Sequence, residues 1–477
     1  DDDIKNDDQK ENNIKEEIEF LEDRDKEKLD VKRIDEIINS HEILLEIKKY
    51  FEIYNKENDI KMNMIYLEKF IRSVILIIYK LNISKEVDNK IMVKLVYDLL
   101  FSDQSSVIID EKIKNYILKE KLNRDPLNKY FFIGISKIEN YMISLYLYCA
   151  MNIPIYVFGP PGVGKTAGAE CLARIRTKIE KLEGNYKKYA FNSATTPSDI
   201  FGAETLVDGQ VKLIDGPLTE SALNGQTFIA DEMNLSSNST MMSLIPIFNN
   251  IRNRYIYFPG LTTPIKINPN FWFGAFQNYE GTAGRNATPH ELSLKLVRLD
   301  YPTVEVEDIK NICIRIRDTI YKNQNSNISD DNILQLAVFM IKLNKRREDG
   351  NLASAEAWSI RNLENIINRM AEQQKCEDIT YKSIQYENCS LYINVLFYVL
   401  SYIDFESVDD SFDEILNLIT DCFQLGENGE ELRKTYYSKP EISYDGCTKF
   451  FSLKKYNSSI KFRNSKIGNN INFLNKV

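Results

Sequence analysis

From about residue 35 to 122 the apolar residues recur at three- and four-residue spacing, as in IINSHEILLEIKKYF (37–51) and LEKFIRSVILIIYKL (67–81). That period predicts amphipathic helices. Asn123 to Pro126 reads as a joint. From about 130 to 300 the pattern changes to short β-branched and aromatic runs alternating with helical stretches. IPIYVF (153–158) is followed by a helix from 165, then KKYAFNS (187–193), QTFIADEMN (226–234) and NFWFGAFQN (270–278). Such alternation predicts a mostly parallel sheet with helices on both faces, an α/β fold. From about 304 to 430 the pattern is helical again, with charged faces. The final stretch, rich in Asn, Ser and Lys, carries no clear period.

The expected organisation is therefore an acidic, flexible lead-in over 1–34 and a helical segment over 35–125. An α/β subdomain follows over 126–303, a helical subdomain over 304–430, and a polar tail or linker over 431–477. One run, YMISLYLYCAMNIPIYVF (141–158), has no charge over 18 positions, the lower limit for a membrane span. Asn152 and Pro154 interrupt it, so it reads as a buried helix to about Met151 and a buried strand over 154–158, with no membrane crossing. MIYLEKFI (64–71) also resembles IRNLENII (360–367), and VYDLLFSD (96–103) loosely resembles FYVLSYID (397–404). Either amphipathic helices coincide by chance, or two copies of one helical subdomain flank the α/β region.

Composition narrows the classes. Of the formal charge of −9, residues 1–30 carry −8, leaving the remaining 447 residues near neutral. Bulk charge therefore gives no nucleic-acid signal. Seven cysteines without C-x-x-C spacing, with His41 and His290 as the only histidines, argue against a zinc site or a disulfide scaffold and for an intracellular, reducing setting. Nucleus and cytoplasm are not separable by sequence. The chain begins with Asp rather than Met, as expected of a fragment or a processed piece.

The chemistry concentrates in three places. Gly159, Pro160, Pro161, Gly162, Val163, Gly164, Lys165 and Thr166 form G-x-x-x-x-G-K-[ST] between a predicted strand and a predicted helix. Backbone N–H groups and the helix N-terminus suit phosphate, Lys165 suits the β- and γ-phosphates, and the Thr166 hydroxyl suits Mg²⁺. TFIADEMN then ends a strand in Asp231, placed to hold Mg²⁺, and Glu232, placed to polarise an attacking water. NFWFGAFQN ends in Asn278, whose amide either orients that water or caps a turn. Asn234 is expected to cap a helix beginning near Ser236, and His290 to be a loop histidine.

These motifs, in this order, resemble the AAA+ ATPases. The run NSATTPSDIFGAETLVDGQVKLIDGPLTESALNGQTFIADEMNL (192–235) and QNYEGTAGR (277–285) are similar to the MoxR/midasin/dynein-related branch, and most to its midasin-like tandem modules. The resemblance covers about 130–370 well and 60–115 more loosely, as the lid of a preceding module. It implies a P-loop core with an α-helical lid, ATP and Mg²⁺ as cofactors, and adjacent AAA+ modules as partners. It also implies a protein or ribonucleoprotein client, in midasin's case the assembling ribosome. Within the lid, SIRNLENIINR (359–369) resembles the sensor 2 helix and assigns Arg361 to the γ-phosphate. In the repeat, Ile65 aligns with Arg361, so an upstream lid would lack that cation.

The chain departs from the family after Asn278. PHELSLKLVRLDYPT (289–303) is short and lacks the family's Arg-Phe pair, leaving Arg298 and Arg285 as doubtful arginine fingers. A finger is worth about 10³–10⁵ in rate, on the neighbour's site rather than its own. Three readings stay open: an ATP-hydrolysing module that remodels assemblies, a structural module that binds nucleotide with little turnover, and a GTPase like McrB.

Overall fold

In a computed structural model, residues 1–35 and 464–477 lie outside the described residues. So do connecting segments, the longest being 123–134, 257–264 and 426–440. The expectations for the acidic lead-in, the joint at 123–126 and the end of the tail fall on these. The chain divides into two compact units, Asp1–Pro302 and Thr303–Val477.

The first unit begins with helices α1 (His41–Glu57), α2 (Met64–Leu81), α3 (Asn89–Phe101) and α4 (Glu111–Tyr116). In α2 the fully buried Phe70, Val74, Ile77 and Leu81 lie on one face at the spacing the sequence shows. Asp88 starts α3 by accepting from the Lys90 N–H at 2.9 Å. The uncharged run becomes helix α5 (Ser136–Ala150) and strand β1 (Ile155–Phe158). Tyr148 of α5 donates its hydroxyl to the Leu99 carbonyl of α3 at 2.8 Å, tying the helical segment to the α/β part. Among the described residues no helix is long and apolar enough to cross a membrane.

The chain then runs through α6 (Lys165–Glu180), β2 (Lys187–Ala190), α7 (Pro197–Phe201), the hairpin β3 (Gly202–Val207) and β4 (Gln210–Asp215), and α8 (Pro217–Asn224). Next come β5 (Thr227–Asp231), α9 (Asn238–Met242), α10 (Ile245–Asn249), the short pair β6 (Tyr255–Ile256) and β7 (Ile265–Lys266), β8 (Trp272–Gln277), α11 (His290–Ser293) and β9 (Val297–Asp300). Five strands form one sheet in the order β2-β5-β8-β1-β9, and every pairing is parallel. Strands β1 and β8 are buried along their whole length, which explains why they read as continuous apolar runs rather than alternating ones. The β3–β4 hairpin inside the α/β region is an element the period did not predict.

The second unit holds α12 (Val306–Tyr321), α13 (Asp330–Glu348), α14 (Ile360–Asp378), β10 (Ile384–Glu387), α15 (Leu391–Leu400) and α16 (Val408–Phe423). Ile309, Ile312, Cys313 and Ile316 of α12 and Leu363, Ile366 and Ile367 of α14 supply its helical core. Asn344 holds Trp358 by both polar atoms, at 2.7 and 2.8 Å. Strands β11 (Glu441–Asp445), β12 (Phe450–Lys455) and β13 (Ser458–Arg463) join β10 in an antiparallel sheet of order β10-β13-β12-β11. This sheet differs from the helical and tail-like reading of 304–477. EISYD and SIKFR each alternate polar and apolar residues over five positions, a strand signal that the Asn-, Ser- and Lys-rich composition of the tail obscures.

Candidate functional site

Parallel order brings the carboxyl ends of β1, β5 and β8 together at one edge of the sheet, where a ligand crevice forms in open α/β folds. The loop after β1 returns tightly. Gly162 and Gly164 have φ of 70° and 99°, and a Cβ on Gly159 would lie 2.7 Å from the Tyr301 Cβ. The Tyr301 N–H donates to the Phe158 carbonyl at 2.7 Å, closing the loop's base against the end of β9. Lys165, the first residue of α6, is only 6% exposed. Its ammonium donates to the carbonyls of Gly159 (2.9 Å) and Pro160 (2.6 Å) and to Asn278 Oδ1 (2.9 Å). Burial pulls the Lys165 ammonium down to about 8, with Arg285 pushing the same way and Glu232 and Asp231 opposing.

β5 ends at Asp231, whose Oδ1 accepts from the Thr166 hydroxyl at 2.9 Å. Its Oδ2 lies 3.4 Å from the Lys188 ammonium, which also pairs with Glu170 at 2.9 Å. Glu232 follows in a left-handed conformation (φ 54°, ψ 41°), and its N–H donates to the Phe276 carbonyl of β8 at 2.7 Å. A non-glycine residue held there is strained, the kind of conformation that clusters at functional sites. Glu232 Oε1 accepts from Asn278 Nδ2 at 2.7 Å, and Oε2 faces Arg285 Nε and NH2, both at 3.3 Å. β8 stops at Gln277, so Asn278 lies one residue past the strand.

The structure thus brings Lys165, Thr166, Asp231, Glu232 and Asn278 together, with one amide bridging the loop lysine and the carboxylate. Arg361 belongs to the second unit, where it is exposed in the first turn of α14. Thr166 and Asp231 offer two adjacent hard oxygens that suit a divalent cation such as Mg²⁺. Among the described residues no group of three or more His, Cys, Asp and Glu could hold a metal by itself.

Two expectations need correction. Asn234 does not cap a helix. It is fully buried and donates to the Asn278 carbonyl at 3.0 Å, while Ser237 caps α9 by accepting from the Thr240 N–H. The loop's need for a partner there outweighs the local cap. His290 opens the one-turn helix α11 rather than lying in a loop. Arg298 lies on edge strand β9, 3.1 Å from Asp300 and 4.6 Å above the Phe158 ring.

Sequence reasoning missed Lys188 and the true place of Arg285. Lys188 had a signal, because it lies two residues before Ala190, which is in register with Asp231, and so shares its face of the sheet. The partner of Arg285 depends on a loop fold that no period encodes.

Residues 154–280 match the AAA domain family of the dynein-related subfamily. This chain carries an AAA domain of the dynein-related subfamily. It is 26% identical over 247 residues to midasin of Dictyostelium discoideum, covering 48% of the chain and 4% of that protein. It is 24% identical over 187 residues to midasin of Giardia intestinalis, covering 38% and 4%. A third similarity, 26% over 164 residues, is to the Holliday junction branch migration complex subunit RuvB of Mycoplasma pneumoniae, covering 33% of the chain and 45% of that protein. The chain thus spans about 4% of the length of the two midasins it matches.

Proposed function

We propose that this AAA domain binds and hydrolyses ATP as one module of a larger multi-module machine that remodels protein or ribonucleoprotein assemblies inside the cell. The observation that carries the reading is the linked row Lys165–Asn278–Glu232 beside Thr166–Asp231. A cation suited to phosphate and a carboxylate suited to act as base each hydrogen-bond the one amide suited to orient water between them. Phosphate oxygens replace the Gly159 and Pro160 carbonyls as partners of Lys165. Thr166 and Asp231 hold Mg²⁺, which neutralises charge on the phosphates. Glu232 takes the proton of the attacking water, Asn278 orients that water, and Arg361 of the lid senses the γ-phosphate. The multi-module context and the client class rest on the similarity to the two midasins.

A second reading, a structural module with little turnover, is favoured by one observation. Both carboxylate oxygens of Glu232 are engaged, Oε1 by the Asn278 amide and Oε2 by Arg285, and these partners compete with an attacking water. Steady-state ATPase activity with Mg²⁺, with GTP in parallel, separates the readings. Turnover that Glu232→Gln lowers by about 10²–10⁴ supports the hydrolytic module. Tight binding without turnover in both forms supports the structural one. A preference for GTP would replace ATP by the McrB-like alternative.

A further inference from the structure

Arg285 is built into the site more firmly than a surface finger requires. The residue before it, Gly284, has φ 75° with nothing within 4 Å of an added Cβ, so the backbone conformation rather than crowding favours glycine there. The residue after it, Asn286, is fixed twice to the segment following Glu232. Its N–H donates to the Asn234 carbonyl and its Nδ2 to the Ser236 carbonyl, both at 2.8 Å. Asn234 in turn donates to the Asn278 carbonyl. The backbone just after Arg285 is thereby anchored beside Glu232, and the guanidinium faces that carboxylate, its side chain 19% exposed and that of Glu232 29%. Both carboxylate oxygens of Glu232 are then occupied, one by the Asn278 amide and one by Arg285.

We propose that Arg285 is a positioning residue acting in cis, which neutralises and orients Glu232 so that this second carboxylate beside Asp231 faces a triphosphate without repelling it. The proposal deepens the nucleotide-hydrolysing reading and rests on it. It assigns the arginine of AGR to its own site rather than to a neighbour's. Two adjacent acids beside a polyanion need compensation, because like charges in a partly buried site repel. Lys188 supplies it for Asp231 at 3.4 Å, and Arg285 supplies it for Glu232.

Equilibrium binding of the β,γ-imido analogue of ATP, measured by calorimetry with Mg²⁺, tests this without turnover. Arg285→Ala should weaken binding about three- to tenfold by leaving Glu232 uncompensated. Arg285→Lys should keep most of the affinity. The double variant Arg285→Ala/Glu232→Gln should return to within about twofold of wild type, because the charge needing compensation is gone. Wild-type affinity in Arg285→Ala overturns the proposal, as a finger serving only a neighbour would give. A double variant as weak as the single also overturns it, as a direct phosphate contact would give. Wild-type chain that binds no analogue overturns the nucleotide reading itself, and the two failures are thereby distinct.

Discussion

Helix α6 carries two buried cations at opposite ends of the same sheet, Lys165 at 6% exposure and Arg176 at 2%. Lys165 meets the carboxyl ends of the strands. Its partners are two loop carbonyls and one amide that itself holds Glu232, all replaceable by phosphate oxygens. Arg176 meets the other end. It donates to the Thr227 hydroxyl at 3.0 Å and to the Asn270 carbonyl, so it joins the starts of β5 and β8. Trp272 reinforces that end by donating its indole N–H to the Ile153 carbonyl at 2.7 Å. One cation is held ready for a ligand and the other is spent on the fold. Burial alone therefore does not mark a functional charge; exchangeable partners do.

The sharpest way to break this contrast is to remove each cation in turn. Lys165→Ala should weaken ATP binding by about 100-fold or more, since it removes charge-assisted contacts to phosphate, while the melting temperature changes little. Arg176→Ala should do the reverse. It strands the Thr227 hydroxyl and the Asn270 carbonyl at the buried starts of two strands and should cost about 2–4 kcal/mol of stability in urea unfolding. ATP affinity of the folded fraction should stay within about twofold. If Arg176→Ala lost binding at unchanged stability, the distinction between the two ends would collapse.

How much of this contrast the sequence carried depends on the range of each signal. The phosphate loop, the acid pair and Asn278 were legible because each is a strand end followed by a short polar motif, a local pattern. The fully buried β1 and β8 were legible for the same reason, as unbroken apolar runs. Sheet order was not. That β5 lies beside β8, and β8 beside β1, places Glu232 against Asn278 and Lys165, yet each pair is separated by dozens of residues with no local trace. Asn234 shows the cost of local reasoning. Its type and position suit a cap, but the buried Asn278 carbonyl needed a donor, and an unsatisfied buried carbonyl costs more than a missing cap. The β3–β4 hairpin has no helical or long apolar period to announce it, and its one local sign in the sequence is the Asp-Gly dipeptide at 208–209.

The lowered Lys165 ammonium sharpens the contrast through pH. The free chain holds it at about 8, and a triphosphate beside it favours the charged form, raising it in the complex. Below about pH 7 the lysine is charged in both states, so affinity is flat. As pH rises through 8 the free chain loses the proton while the complex keeps it. Binding then takes up a proton and weakens by up to about tenfold per pH unit. Calorimetry in two buffers of different ionisation enthalpy at pH 9 should show that uptake, and Lys165→Ala should abolish it. A flat affinity from pH 7 to 9 would mean that the free ammonium is not lowered to about 8, and the loss of binding in Lys165→Ala would then decide the phosphate contact by itself.

The smallest effect belongs to Arg298, and its smallness is informative. It lies on the outermost strand of the sheet with its side chain 54% exposed, and its ion pair with Asp300 is of the solvent-screened kind worth about 0–1 kcal/mol. Its cation–π contact with Phe158 adds a similar amount at an exposed site. Its ion pair is with Asp300 of the same strand, whereas Arg285 touches Glu232 directly. Arg298→Ala should therefore leave this chain's own ATP affinity and turnover within about twofold, with stability changed by about 1 kcal/mol or less. The same substitution in the longest multi-module protein obtainable reads a neighbour instead. A fall in turnover there, with this module's binding unchanged, would give Arg298 the reach across a module boundary that Arg285, tied to its own glutamate, does not have. The two arginines of one short segment would then divide between cis and trans as Lys165 and Arg176 divide between ligand and fold.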